Sequence, residues 1–177
     1  TTHALRLHKG RLFTGDSFDT IHIETVHVEA GQSRAMFDGT VDLLHEELDL
    51  RIEGNFPDLD VWLKRFDLPA FVTSAGGGSV IIIKGKLTNP KINVNTELAG
   101  VPCLDRLRLS DTQFSDGVLE IRKMSSAGLG GELTGSGRVR IPEGGGMPIV
   151  ERLVLSGRRL EAARMCGLNG TAKGTLD

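Results

Sequence analysis

A chain of 177 residues is one ordinary domain's worth of polypeptide, long enough to bury a core. Its 21 Lys and Arg against 23 Asp and Glu leave a net charge of -2. With no basic surplus for gripping a phosphate backbone, nucleic acid is not an expected partner. No apolar run approaches the ~20 residues of a helical membrane span. Thr1-Thr2-His3 has neither the basic start nor the apolar stretch of a signal peptide, and without an initiator Met the chain reads as a piece of something longer.

Glycine stands out at 23 of 177 residues, about twice the ~7% of average usage, while Tyr is absent. Cys103 and Cys166 are too few for a disulfide framework, and neither lies in a CxxC pair. Two small buried hydrophobes and one disulfide both remain open readings for them.

In chain order the dominant pattern is period two, apolar residues alternating with charged or small ones, which predicts half-buried antiparallel strands. Leu5 and Leu7, Ile21 and Ile23, Val26 and Val28, Val41 and Leu43, then Leu48, Leu50 and Ile52 carry it through the first third. The parity changes between Ile23 and Val26, as a β-bulge would make it. After Pro57 the spacing Leu59, Trp62, Leu63, Phe66 switches to i, i+3, i+4, i+7 and predicts a short helix over 58–67. Gly76-Gly77-Gly78-Ser79 reads as a flexible turn before a strand from Ile81 to Leu87. Alternation then resumes through Ile92, Val94, Leu98, Leu107, Leu109, Leu119, Ile121, Leu133, Val139, Ile141, Leu153 and Leu155, with a weaker helical stretch over 159–166. About eleven strands are expected. Turns are predicted at Lys9-Gly10, Ala30-Gly31, Asn89-Pro90, Ala99-Gly100, Asp116-Gly117 and Gly144-Gly145-Gly146.

The chain also repeats itself. A shift of 98 positions aligns Ile23, Val26, Ala35, Gly39, Val41 and Leu43 with Ile121, Met124, Leu133, Gly137, Val139 and Ile141. Past a glycine insert, Leu50-Arg51-Ile52-Glu53-Gly54 matches Leu153-Val154-Leu155-Ser156-Gly157. Each copy leads to a strand carrying Gly-x-Leu, at Gly85-Lys86-Leu87 and Gly174-Thr175-Leu176. One repeat-built β domain over 1–177 is therefore expected, in approximate units 1–91 and 92–177, as a slice of a longer, quasi-one-dimensional array.

No constellation for chemistry emerges. His3, His8, His22, His27 and His45 all lie in the first 45 residues. His22-x-Glu24 and His27-x-Glu29 could each place an imidazole and a carboxylate together on a metal. The alternation puts these groups opposite Ile21 and Ile23, so a solvated polar face is expected and no metal. His22-x-Glu24 with Pro102-Cys103 matches part of the zinc deaminase signature, but Arg106 stands where that signature needs its second Cys. Gly128-Leu129-Gly130-Gly131 and Gly135-Ser136-Gly137 fit no phosphate-loop motif. Ser17, Ser33 and Ser110 lack a nucleophile elbow. We expect neither an enzyme nor a cofactor.

Several stretches, taken together, resemble a known repeat. Leu50-Arg-Ile-Glu-Gly54, the helix around Trp62 and Lys84-Gly-Lys-Leu-Thr-Asn-Pro-Lys-Ile92 come first. Leu107-Arg-Leu109, Gly117-Val-Leu-Glu-Ile121 and Gly131-Glu-Leu-Thr-Gly-Ser-Gly-Arg-Val139 follow. This order is similar to the repeat of the AsmA-like superfamily, and within it of the TamB-type envelope proteins. The resemblance covers nearly the whole chain and rests on glycine and leucine spacing. It implies a long antiparallel sheet curled into a taco or clamp around an apolar groove, with one or two short helices. Such proteins are anchored in the inner membrane of a two-membrane bacterium and cross the periplasm. They are thought to carry phospholipid between the membranes, and some assist outer-membrane protein assembly. The implied partners are phospholipid acyl chains and an outer-membrane protein, with the membrane anchor outside this piece. The strand pattern is shared by the type II secretion protein N group, which implies instead an interaction module of a secretion complex. The groove residues expected from shared parity are Ile83, Leu87, Ile92, Val94, Leu98, Leu107, Leu109, Leu119, Ile121, Leu133, Val139 and Ile141.

Overall fold

The computed structural model describes residues 5–15, 18–57, 76–101, 104–128, 131–142 and 148–159. Both expected helices, 58–67 and nearly all of 159–166, fall outside these residues, as do Cys103, Cys166 and the 144–146 turn. Ten strands are present: β1 (Leu5–Thr14), β2 (Thr20–Ala30), β3 (Ser33–Asp42), β4 (Glu47–Phe56), β5 (Gly76–Lys86), β6 (Lys91–Ala99), β7 (Leu104–Ser115), β8 (Val118–Gly128), β9 (Gly131–Arg140) and β10 (Ile149–Arg158). Each pairs antiparallel with its sequence neighbours, giving one sheet in the order β1 to β10 that does not close into a barrel. At ~4.8 Å per strand gap the sheet is about 43 Å wide.

The turns follow the local chemistry. Asp116 and Gly117 have φ of 51° and 70°, the two positive values of the type I′ turn that joins β7 to β8 between Ser115 and Val118. Gly31 (φ 63°) serves the β2–β3 hairpin, and Gly100 (φ 77°) follows β6. Two glycine-based expectations are corrected. Lys9-Gly10 lies inside β1, beside two register shifts, and Gly76 to Ser79 begins β5 and pairs with Ala99 through Thr96. In both places glycine serves a close approach. A Cβ on Gly77 would run into the Glu97 carbonyl and lie 3.1 Å from Leu98 Cα. Ile21–Ile23 and Val26–Val28 are one bulged strand, β2, with its register shift between Ile23 and Val26, as the parity change predicts, and the expected strand at Gly174-Thr175-Leu176 lies outside the described residues.

That bulge recurs at the repeat distance. The 98-residue shift carries β2 onto β8 and β3 onto β9, and β8 has its own register shift between Ile121 and Met124. The β2 bulge and the one in β7 opposite Val94 and Thr96 are each held by a side chain. Thr25 (φ 48°) donates its backbone N–H to Asp38 Oδ1 at 2.8 Å, and Asp111 (φ 52°) donates its own to Asn95 Oδ1 at 2.9 Å. Each Asx side chain accepts from a backbone donor that the ladder leaves unpaired.

Candidate functional site: the apolar face of the sheet

Residues directly opposite in an antiparallel pair project from the same face, so the register itself tells what each face carries. Following partners from edge to edge gives a row of Leu12, Ile23, Gly39, Leu50, Ile83, Ile92, Phe114, Leu119, Val139 and Val150. Two residues along each strand a second row runs from Val26 through Phe37, Ile52, Ile81, Val94, Thr112, Ile121 and Gly137 to Leu153. A third row begins at Leu7 and Val28, passes Gly54, Ser79 and Thr96 in mid-sheet, and ends through Leu109, Met124 and Gly135 at Leu155. No residue in the three rows is charged, and the bulges keep the rows on one face despite odd spacings such as Ile23 to Val26.

Ten of the twelve expected groove residues share this face. Ile83, Ile92, Leu119 and Val139 lie in the first row, Val94 and Ile121 in the second, and Leu109 in the third. Leu98, Leu107 and Leu133 lie one step further along. The other two fall beyond strand ends: Leu87 is in the β5–β6 turn and 41% exposed, and Ile141 follows β9 with its N–H on the Gly117 carbonyl. Parity had been carried past the last strand residue in both. The expected set also stopped short. Leu50, Ile52, Ile81 and Phe114 belong to the same rows, and their parity was visible in the sequence. Which strand faces which was not, because register is a property of pairs.

The face is thinly covered. Val28, Ala30, Ala35 and Leu98 are the buried apolar residues among those described, and interior row members such as Leu50, Ile83 and Ile92 are half-buried against their neighbours. At the edges Leu12 is 64% and Leu153 57% exposed. Two polar groups interrupt the face with their hydrogen bonds met within it: Ser79 Oγ and Thr96 Oγ1 stand 2.7 Å apart. Thr112 is different, at 2% exposure with no partner for its hydroxyl among the described residues. Glycines let backbone lean over this side. A Cβ on Gly135 would lie 2.8 Å from Leu155 Cδ2 and 3.2 Å from Met124 Cε, and one on Gly54 would lie 2.7 Å from the Arg34 carbonyl.

The opposite face carries the charge. Lys84 Nζ meets Asp49 Oδ2 at 2.9 Å, Glu97 takes Arg108 at 2.6 Å and Arg106 at 3.1 Å, and Glu151 takes Arg140 at 2.6 Å and Arg138 at 2.8 Å. The hydrogen bond from Arg108, aided by the charges of Arg106 and Arg108, holds the Glu97 carboxyl below the usual carboxylate range. Arg140, then Arg138, do the same for Glu151. In the β3–β4 turn the His45 backbone N–H and then its ring lower Asp42. His8, His22 and His27 are on this side too: His8 Nε2 is 2.7 Å from Glu29 Oε2, and His22 stacks on Phe13 with ring centroids 5.0 Å apart. Among the described residues no three His, Cys, Asp or Glu side chains stand close enough to hold a metal ion.

No family model matches this chain, and neither does any curated protein or solved structure.

Proposed function

We propose that the apolar face is a path for lipid acyl chains, and that this chain is a segment of a bridge carrying phospholipid between the inner and outer membranes across a bacterial periplasm. One observation carries the reading: three adjacent rows of uncharged side chains cross the sheet, two of them over all ten strands and one over β2 to β10, while the ion pairs stand on the other face. A sheet exposing so much contiguous apolar surface needs a cover. A lipid tail is a suitable one, since at ~0.8 kcal/mol per buried CH₂ a sixteen-carbon chain gains up to about 12 kcal/mol before ordering costs. In this reading the sheet curls toward its apolar side into a clamp, helped where Gly54, Gly77 and Gly135 let neighbouring backbone approach. The resemblance to TamB-type repeats supports the same assignment. It adds an inner-membrane anchor elsewhere in the whole protein and an outer-membrane protein as a further partner. No catalytic residue, cofactor or metal enters the proposal.

The test is the cargo itself. Protein purified from cells without detergent is extracted and its lipids are measured by mass spectrometry, beside Val94→Asp on the apolar face and Asn93→Asp on the charged face. Phospholipid with the wild type and Asn93→Asp, and its depletion from Val94→Asp, is the expected result. A wild-type protein free of lipid overturns the proposal.

A further inference from the structure

The two repeat units carry the same stretch of apolar row with one exchange. In the first unit cross-strand partners give Leu12, Ile23, Gly39 and Leu50. In the second the same pairing gives Thr112, Ile121, Gly137 and Leu153, so a threonine stands where the first unit has a leucine. Thr112 directly follows the β7 bulge, which Asn95 holds by accepting the Asp111 N–H at 2.9 Å, and its other cross-strand partner is Val94. The residue is 2% exposed and its hydroxyl has no hydrogen-bond partner among the described residues. Valine would fill the same shape without burying a donor, so the hydroxyl weakens the empty sheet. Ser79 and Thr96, the nearby hydroxyls of the third row, are satisfied: they stand 2.7 Å apart, and Thr96 donates to the Gly78 carbonyl at 3.1 Å. Ser33 Oγ is also buried without a partner among the described residues, but it stands opposite Ala30 at the start of β3, beyond the three rows.

Water does not reach the Thr112 hydroxyl, so whatever accepts from it lies among the apolar side chains of this face. Val94 and Ile121 beside it, and Phe114 two residues on, have no acceptor atom. A hydrocarbon tail has none either. The acceptor that an acyl lipid carries at the head of each tail is the ester carbonyl oxygen. A fatty-acid carboxylate would also accept, but it would bring an unpaired charge onto a face whose rows hold none. We propose that Thr112 donates its hydroxyl proton to the ester carbonyl oxygen of a glycerolipid lying on the apolar face, and so selects ester-linked lipid over ether-linked. The assignment rests on that face being a path for acyl chains and adds to it the residue that recognises the linkage. The tails themselves are left to the aliphatic side chains of the first two rows, such as Ile92, Ile83 and Leu50.

A competition between two lipids tests it in the full chain. Delipidated protein is incubated with equal amounts of dipalmitoyl phosphatidylethanolamine and its dihexadecyl ether analogue, which share headgroup and tail length, and bound lipid is counted by native mass spectrometry. The wild type should hold the ester lipid about fivefold over the ether, the scale of one net hydrogen bond. Thr112→Ser keeps the donor and should keep the preference, whereas Thr112→Val should bind the two lipids alike. Ser33→Ala, which removes the hydroxyl outside the rows, should behave as the wild type. Equal binding of both lipids by the wild type, a preference unchanged in Thr112→Val, or one lost in Ser33→Ala overturns the role of Thr112 and leaves the lipid path standing. Binding of neither lipid by folded wild-type protein overturns both.

Discussion

β5 shows both faces of the sheet in adjacent residues. Gly77 and Ile81 lie on the apolar side, where Ile81 stands between Ile52 and Val94; Gly78 and Ile82 lie on the charged side, where Ile82 stands between Arg51 and Asn93. The composition of the two pairs is the same, and their surroundings are not. A Cβ on Gly77 would strike the Glu97 carbonyl, whereas one on Gly78 would meet only the Gly54 carbonyl at 4.0 Å. Along this stretch the tight approach at Gly77 and the apolar contacts of Ile81 fall on one side, and the side of Gly78 and Ile82 is the one that carries the ion pairs.

The largest effect expected from breaking that contrast is at Gly77. Gly77→Val forces β5 and β6 apart and should cost more than ~2 kcal/mol, read from the urea midpoint. Gly78→Ala should change stability by under ~0.5 kcal/mol. Equal costs would mean that the two faces are packed alike. Next, Val94→Asp sets a carboxylate among Ile81, Ile92 and Thr112 and should destabilise by ~2–3 kcal/mol, while Asn93→Asp on the other face should be nearly silent. Thr112→Val keeps the shape and removes a buried hydroxyl that lacks a partner among the described residues. A gain of about 1 kcal/mol is expected, and a loss would reveal a bond that the hydroxyl makes.

The smallest effect belongs to the charged face. Glu97 and Glu151 titrate lower in the folded chain than in the unfolded one, where a Glu has a pKa of about 4.3. The unfolded chain therefore takes up protons first as acid is added. Their stabilisation is complete above the unfolded value and is lost as pH falls through the folded one. Both carboxylates are exposed, so the change is modest, and salt should weaken it further. Glu97→Gln combined with Glu151→Gln should flatten the slope of stability between about pH 5 and 3. An unchanged slope would show that other carboxylates govern it.

Much of this architecture was legible in the sequence because alternation in a half-solvated sheet writes the face of each residue directly. The bulge between Ile23 and Val26 could be read from a parity change alone, and the 98-residue shift located its counterpart at Ile121 and Met124. What failed was glycine. Gly10 and Gly76 to Gly78 read as turns because no side chain marks their parity, yet they stand inside strands, and at Gly10, Gly76 and Gly77 a neighbouring backbone comes close. The candidate site was half legible: each strand's apolar residues were named, but the continuous rows depend on cross-strand partners such as Leu50 with Ile83 and Phe114 with Leu119. No single strand contains that information.

In the proposed function lipid travels on one face of the sheet and not on the other, and adjacent residues of β7 separate the two faces. Leu109 sits in the third apolar row between Thr96 and Met124, while Arg108 points to the charged face and holds Glu97 at 2.6 Å. A photo-crosslinking amino acid placed at Leu109 should capture phospholipid in cells, and the same group at Arg108 should capture none. Equal labelling at the two positions, or no labelling at either in a folded protein, would contradict the account.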